Sequence, residues 1–336
     1  MNLAYTKLGF PSPHPVTTLR SIAHLFASTK KGNRCGVYLL ALMDGTHYIG
    51  QTIEVVRRFA QHCSRHEIVG FSFIRAKQAE LSQLEREKIY LAESLGLRLT
   101  NFIHTTAVCG ETDLDLVVPE AEQEKWVRSG QYYFHRDHSP SIVLPHPHLD
   151  RYAARFKVFQ SHPQSTLAVG LLRKYLINCI VAPRRTEYSF WNVSCLPSTG
   201  RGDLERLFCV SAASMELFVL QCHKKNKKDL HGYVTISEEA LCMIIPDPDD
   251  FKKKHPTVEF TVVPYRDAGE DQITLAVWGE TALSRLLDDE AVQIAGSILA
   301  LRVMRKRAAF YAQYHCAQLA QLALGTSAKE RQGKSV

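Results

Sequence analysis

The rhythm of apolar and polar positions along the chain changes several times, and each change predicts an element. Residues 36–43 (GVYLLALM) are a continuous apolar run of strand length and read as a strand. Asp44-Gly45 is a turn signal, and residues 46–50 (THYIG) return as a second strand. Thr52 reads as the N-cap of the helix that follows, and Glu54 falls in its first turn, where a carboxylate suits the helix dipole. Residues 68–74 (IVGFSFI) read as a third strand. Over 77–95 the period becomes helical, with Leu81, Leu84, Leu91, Ala92 and Leu95 set towards a core and Gly96 as the stop.

The flanks read differently. Pro11, Pro13 and Pro15 break early regular structure, so residues 1–33 read as a leader, with a short helix over 17–28 and a loop at 30–33. Beyond 108, acids cluster between 111 and 124, and aromatics and histidines follow around 132–148; 109–150 therefore reads as a connecting segment. Strand-like runs follow at 186–196, 207–221, 233–236, 257–264 and 272–278, and one long helix over 289–324. This makes 151–327 a larger α+β domain, with 328–336 as a tail. The expected fold class is α+β: a small three-stranded antiparallel sheet with flanking helices, then the larger domain.

Composition narrows the picture. The chain has 336 residues, 45% apolar and 22% charged, enough for two domains of ordinary size. No uninterrupted apolar stretch is long enough to span a bilayer, and the start lacks the pattern of a secretory signal. Residues 1–43 contain no acid, as in a transit peptide, but strand character already begins at Cys35 and Gly36. The expectation is a soluble cytoplasmic protein without a membrane partner. Nine cysteines, an odd number with no C-x-x-C pair, read as reduced thiols. The net charge is +7, and residues 1–105 carry 13 Lys or Arg against 7 Asp or Glu, whereas the remainder carries 28 against 27. The basic surplus thus lies on the N-terminal third, where a polyanion would release counterions on binding; the alternative is an ordinary solvated surface.

The chemistry is concentrated in residues 36–62. Gly36-Val37-Tyr38 lies on the first strand and Tyr48-Ile49-Gly50 on the second; Arg58 and His62 then stand one helical turn apart, on one helix face. Glu85 and Glu87 sit on the later helix, and Asn101 follows it. In order, spacing and residue type this set resembles the GIY-YIG nuclease family. The resemblance covers about residues 34–105, and Val37 stands where the family name has Ile, both β-branched strand residues. It implies a nuclease domain over 34–108 that hydrolyses phosphodiesters of DNA, with RNA as an alternative, using one Mg²⁺ or Mn²⁺. It also implies that Tyr38 acts as, or positions, the general base, that Tyr48 orients the water or phosphate, and that Gly36, Gly50, Thr52 and Asn101 belong to the motif. For the metal carboxylate the resemblance favours Glu85, which fits the family's Glu-x-x-x-Ile pattern, over Glu87, which has Leu84 and Leu91 as neighbours in a similar pattern.

Physical chemistry is consistent with those roles. Arg58 carries a permanent cation whose planar fork suits phosphate oxygens. A phenol with a pKa of about 10 serves as a base only if nearby cations lower that value. The hairpin sets a geometric condition. A two-residue Asp44-Gly45 loop would turn Tyr38 and Tyr48 to opposite faces, whereas a three-residue loop, Met43-Asp44-Gly45, pairs Leu42 with Thr46 and Leu40 with Tyr48 and puts both rings on one face. Gly45 then takes the left-handed position.

Other candidates carry less. His135, His138, His146 and His148 cluster without cysteines at zinc-finger spacing. KKNKK at 224–228 reads as a solvated loop between strands. Arg302, Arg305, Lys306 and Arg307 form a basic patch on the final helix, which is a candidate for contact with DNA or for oligomerisation through 289–324. Two functions are carried forward. The first is a metal-dependent endonuclease whose C-terminal domain selects the substrate, in restriction or defence, homing or repair. The second is a nucleic-acid-binding or regulatory protein that uses the same fold for recognition.

Overall fold

A computed structural model describes residues 2–27, 34–129, 146–199 and 202–325. The chain is α+β and divides into two compact units, 1–110 and 111–336.

The first unit is built from α1 (Asn2–Lys7), β1 (His14–Pro15), β2 (Gly36–Leu42), β3 (His47–Thr52), α2 (Val55–His62), β4 (Ile68–Arg75) and α3 (Leu81–Ser94). Its antiparallel sheet has the order β1-β4-β2-β3. Strands β2, β3 and β4 are the three expected. The fourth, β1, comes from the segment read as a leader. That segment is part of the fold: Tyr5, Leu8 and Phe10 enter the core on one side of the sheet, with Val37, Leu39, Ile49 and Ile89. Val16, Ile22 and Phe26 enter the core on the other, with Tyr38, Leu40 and Phe59. The expected helix over 17–28 is reduced to a 3₁₀ turn at Ala23–Phe26, and Thr18, with φ 69°, interrupts it. The 30–33 loop and the 328–336 tail lie outside the described residues.

The second unit holds α4 (Glu120–Ser129), α5 (His146–Gln160), α6 (Ser165–Cys179), α7 (Pro183–Thr186), β5 (Trp191–Cys195), β6 (Leu204–Ala212), β7 (Met215–His223) and β8 (Leu230–Ile236). It continues with α8 (Glu238–Ile244), α9 (Pro248–Lys254), β9 (Glu259–Thr261), β10 (Ile273–Trp278), α10 (Glu280–Leu287), α11 (Glu290–Lys306) and α12 (Ala317–Leu324). Six antiparallel strands run in the order β5-β6-β7-β8-β10-β9. The part of the expected connecting segment over 111–129 belongs to this unit: Leu114, Val118 and Trp126 are buried in its core with Tyr175, Trp191 and Phe218.

Two corrections concern elements that sequence periodicity ran together. The run 207–221 is a hairpin that turns at Ala213-Ser214, where Asp267 Oδ2 accepts from the Ser214 amide at 2.8 Å. The expected helix over 289–324 breaks after Lys306 into α11 and α12. Its basic patch is consumed internally: Arg302 pairs with Asp271, Arg305 with Asp115 at 2.8 Å and Arg307 with Asp267 at 2.5 Å, while Lys306 is buried. Ala295, Leu299, Ala300 and Val303 are also in the core, so most of α11 is buried within its own unit.

Candidate active site

The β2–β3 hairpin turns through Met43-Asp44-Gly45, as the shared-face condition requires. Leu42 N donates to Thr46 O at 2.9 Å, Leu40 pairs with Tyr48, and Gly45 has φ 81°. Asp44 Oδ1 accepts from the Thr46 hydroxyl at 2.6 Å and from the Thr46 amide at 2.9 Å, which holds its carboxyl below the usual range and closes the turn. Tyr38 and Tyr48 therefore share one face, with ring centroids 6.1 Å apart.

Both motif glycines stand where backbone or ring passes too close for a side chain. A Cβ on Gly50 would lie 2.5 Å from Tyr38 Oη and 2.8 Å from Tyr48 Cε1. A Cβ on Gly36 would lie 2.0 Å from the Ile74 carbonyl oxygen.

Helix α2 brings the cation and the imidazole to the same face. Its N-cap is Glu54, whose side chain accepts from Val56 N, rather than Thr52; Thr52 Oγ1 accepts from Glu54 N at 3.0 Å and so braces the cap. Arg58 Nε donates to Tyr38 Oη at 3.1 Å, and His62 Nε2 lies 2.8 Å from the same oxygen. Because the phenolic oxygen already accepts from Arg58, we assign its proton to the bond with His62 Nε2. The His62 ring also lies 4.8 Å from that of Tyr48. Arg58, Gln61, His62, Ser64 and Arg65 line a concavity of about 340 Å³ beside this cluster.

The electrostatics correct one expectation. Burial, and then the neighbouring Tyr48, push the Tyr38 phenol up by more than the Arg58 guanidinium pulls it down. At 1% exposure the phenolate loses more solvation than one cation returns. His62 moves the other way, to about 4, through burial first and then the positive charges of Arg58, His66 and Arg65. The hydrogen bond to Tyr38 raises the Arg58 pKa further. At neutral pH the cluster is a neutral phenol, a neutral imidazole and a guanidinium cation, and its proton acceptor is His62.

The two glutamates part clearly. Glu85 is 6% exposed, in a buried stripe with Leu81, Ile89 and Ala92; Leu91, expected in that stripe, is 38% exposed. Glu85 Oε1 accepts from Gln51 N at 3.0 Å and Oε2 from Gln51 Nε2 at 2.9 Å, so the carboxylate lies against β3. Its charge adds to the upward push on Tyr38. Glu87 is exposed and accepts from Gln83 Nε2 on its own helix at 2.8 Å. Asn101 is structural: its Nδ2 donates to Ile49 O at 2.6 Å and its Oδ1 accepts from Ile49 N at 3.0 Å. Gln51 was not singled out in the sequence, since its contact with Glu85 spans 34 positions.

Comparisons with protein-family models, curated proteins and solved structures return no match for this chain.

The other sequence candidates belong to residues 111–336. His135 and His138 lie outside the described residues, and His146 and His148 open α5 in the second unit. The 224–228 run is the β7–β8 loop, where Lys227 pairs with Glu205. Among the described residues no helix is long and apolar enough to cross a membrane. The sequence did not point to a cleft of about 1010 Å³ in the second unit, lined by Arg151, Arg155, Asn192, Arg206, Tyr311 and Tyr314 among others. Its residues come from separate elements and form no local motif.

Proposed function

We propose that the protein is a phosphodiester hydrolase, an endonuclease acting on DNA, with its active site on the Tyr38–Tyr48 face. The observation that carries this reading is the hydrogen-bonded series Arg58–Tyr38–His62 on a face shared with Tyr48. Hydrolysis needs an acceptor for the proton of the attacking water and a cation for the charge that builds on phosphate. The Tyr38–His62 pair supplies the first: as the phenolic oxygen takes the water's proton, its own passes to His62 Nε2, which is neutral and free to receive it. Arg58 supplies the second from the wall of the concavity. Tyr48 completes the face and sets the position of the His62 ring.

Glu85 fits a hard divalent cation. It is a buried carboxylate that accepts from two N–H groups of Gln51, and carboxylate oxygens suit Mg²⁺, which keeps several of its waters. Bound there, Mg²⁺ or Mn²⁺ would supply Lewis-acid polarisation of the phosphate. Substrate choice is assigned to the second unit. Its cleft carries the exposed Arg151 and Arg155 with Tyr311 and Tyr314, a combination that follows phosphates and stacks bases. The test is a nicking assay on supercoiled plasmid with Mg²⁺ or Mn²⁺. Conversion to open-circular DNA that stops on adding EDTA supports the reading, and cleavage that continues undiminished in excess EDTA removes the metal from it. No cleavage by the wild type, across metals and DNA forms, would leave the binding-module alternative.

A further inference from the structure

We propose that the second unit carries a zinc site made by His162, Glu205 and Cys222, separate from the nuclease face. His162 lies in the turn between α5 and α6, while Glu205 on β6 and Cys222 on β7 are register partners in the sheet. One atom from each meets the other two. His162 Nε2 is 3.4 Å from Glu205 Oε1, Cys222 Sγ is 3.5 Å from the same oxygen, and Cys222 Sγ is 3.7 Å from His162 Nε2. The three atoms close a triangle. A hydrogen-bonded chain through these groups would need only two of the three contacts. Tetrahedral zinc with ordinary bond lengths sets its ligand atoms apart by about 3.3 Å for N and O, about 3.5 Å for S and O and about 3.6 Å for S and N. The observed edges follow that order and nearly those lengths.

The donor set selects the ion. One imidazole, one thiolate and one carboxylate are borderline-soft ligands suited to Zn²⁺, whereas Mg²⁺ is held by oxygen alone. Burial lowers the His162 pKa, the direction that favours the neutral imidazole a metal needs. Burial also pushes the Cys222 thiol up to about 12. Zinc therefore replaces a proton on Cys222 Sγ, and one proton is released to solvent for each ion taken up. Three protein ligands leave a fourth position for water. Two groups compete with the ion. Lys227 Nζ pairs with Glu205 Oε1, and its side chain is 35% exposed, so it can swing away. The Gln164 amide donates to His162 Nδ1 at 3.2 Å; coordination through Nε2 moves the imidazole proton to Nδ1, so this amide must turn aside.

The experiment uses the full chain, stripped with chelator and titrated with Zn²⁺, then with Co²⁺ as a spectroscopic probe. The expected result is one zinc per chain, a rise in Tm with zinc, and a thiolate-to-cobalt charge-transfer band. His162→Gln and Cys222→Ser should lose the bound ion and the band. Glu205→Gln, at a partly exposed position, should weaken binding while far-UV circular dichroism stays native. Lys227→Ala should bind zinc more tightly, because it removes a competing ammonium; in a purely hydrogen-bonded cluster it would only leave Glu205 without its ion pair. Absence of zinc uptake and of the band in the folded wild type would overturn the proposal. So would zinc that stays bound in both His162→Gln and Cys222→Ser.

Discussion

At the scale of single residues, the roles of Arg58, Glu85 and His62 separate by experiment. Arg58 is half-buried and bonds to Tyr38 Oη and Gln61, so Arg58→Ala should fold normally. It should cut roughly a thousandfold from kcat, several kcal/mol of barrier, while DNA affinity measured by filter binding falls far less. A fully active Arg58→Ala protein would move the active site elsewhere. Glu85→Ala should lower kcat and raise the Mg²⁺ concentration needed for half-maximal rate. Glu87→Ala, on the exposed side of α3, should alter neither, and the opposite pattern would exchange their roles. His62 gives a pH signature. Its folded pKa of about 4 lies below the ordinary 6.5, so as pH falls the unfolded chain takes up this proton before the folded one does. Its contribution to stability is therefore complete above 6.5 and is lost progressively as pH falls towards 4. The acid limb of a kcat/KM profile should likewise appear near 4; a limb near 6.5 would mean that His62 is not held neutral as described.

At the scale of elements, what holds β3 in place is the clearest stability question. Asn101 satisfies both the N–H and the C=O of Ile49, and Asn101→Ala would leave two buried backbone groups unpaired, at a cost of about 3 kcal/mol. Denaturant melts should show it, with secondary structure at low denaturant unchanged; a variant as stable as the wild type would mean that water replaces the amide. The elements also show which features the sequence made legible. Asp44-Gly45 marked the turn locally, but its three-residue length was read from the need to place Tyr38 and Tyr48 on one face, with Gly45 able to take the left-handed conformation it has. Helical period alone left Glu85 and Glu87 close, since Glu87 has Leu84 and Leu91 as neighbours; what parts them is the exposure of Leu91, which depends on the packed unit. The leader was misjudged because its prolines signal irregular backbone but are silent about burial. Tyr5, Leu8 and Phe10 are fixed by strands that follow some thirty positions later. The hairpin inside 207–221 was missed for a similar reason: its turn has no strong turn dipeptide and is held by Asp267, 53 positions away. The raised pKa of Tyr38 was out of reach because burial, unlike the spacing of charges, depends on the packed whole.

At the scale of the whole molecule, the two units divide at Gly110, and each has a core of its own. A protein ending at 110 should therefore fold and still nick plasmid, with weaker binding and poorer selectivity than the full chain. Retention of full selectivity by that fragment would give residues 111–336 another purpose. The carboxylate placed at the proposed metal site has a second consequence, for how copies of the protein behave together. Strand β3 is the last in its sheet, and its outward backbone N–H groups are met in turn: that of His47 by Arg98 O, that of Ile49 by Asn101 and that of Gln51 by Glu85. An open strand margin invites another chain to extend the sheet. Glu85 thus covers the last of those outward N–H donors. Glu85→Gln keeps an oxygen to accept from Gln51 and should stay monodisperse, whereas Glu85→Ala should self-associate on storage in a way that light scattering detects. A purified Glu85→Ala protein would then lose activity by two routes, only one of them chemical.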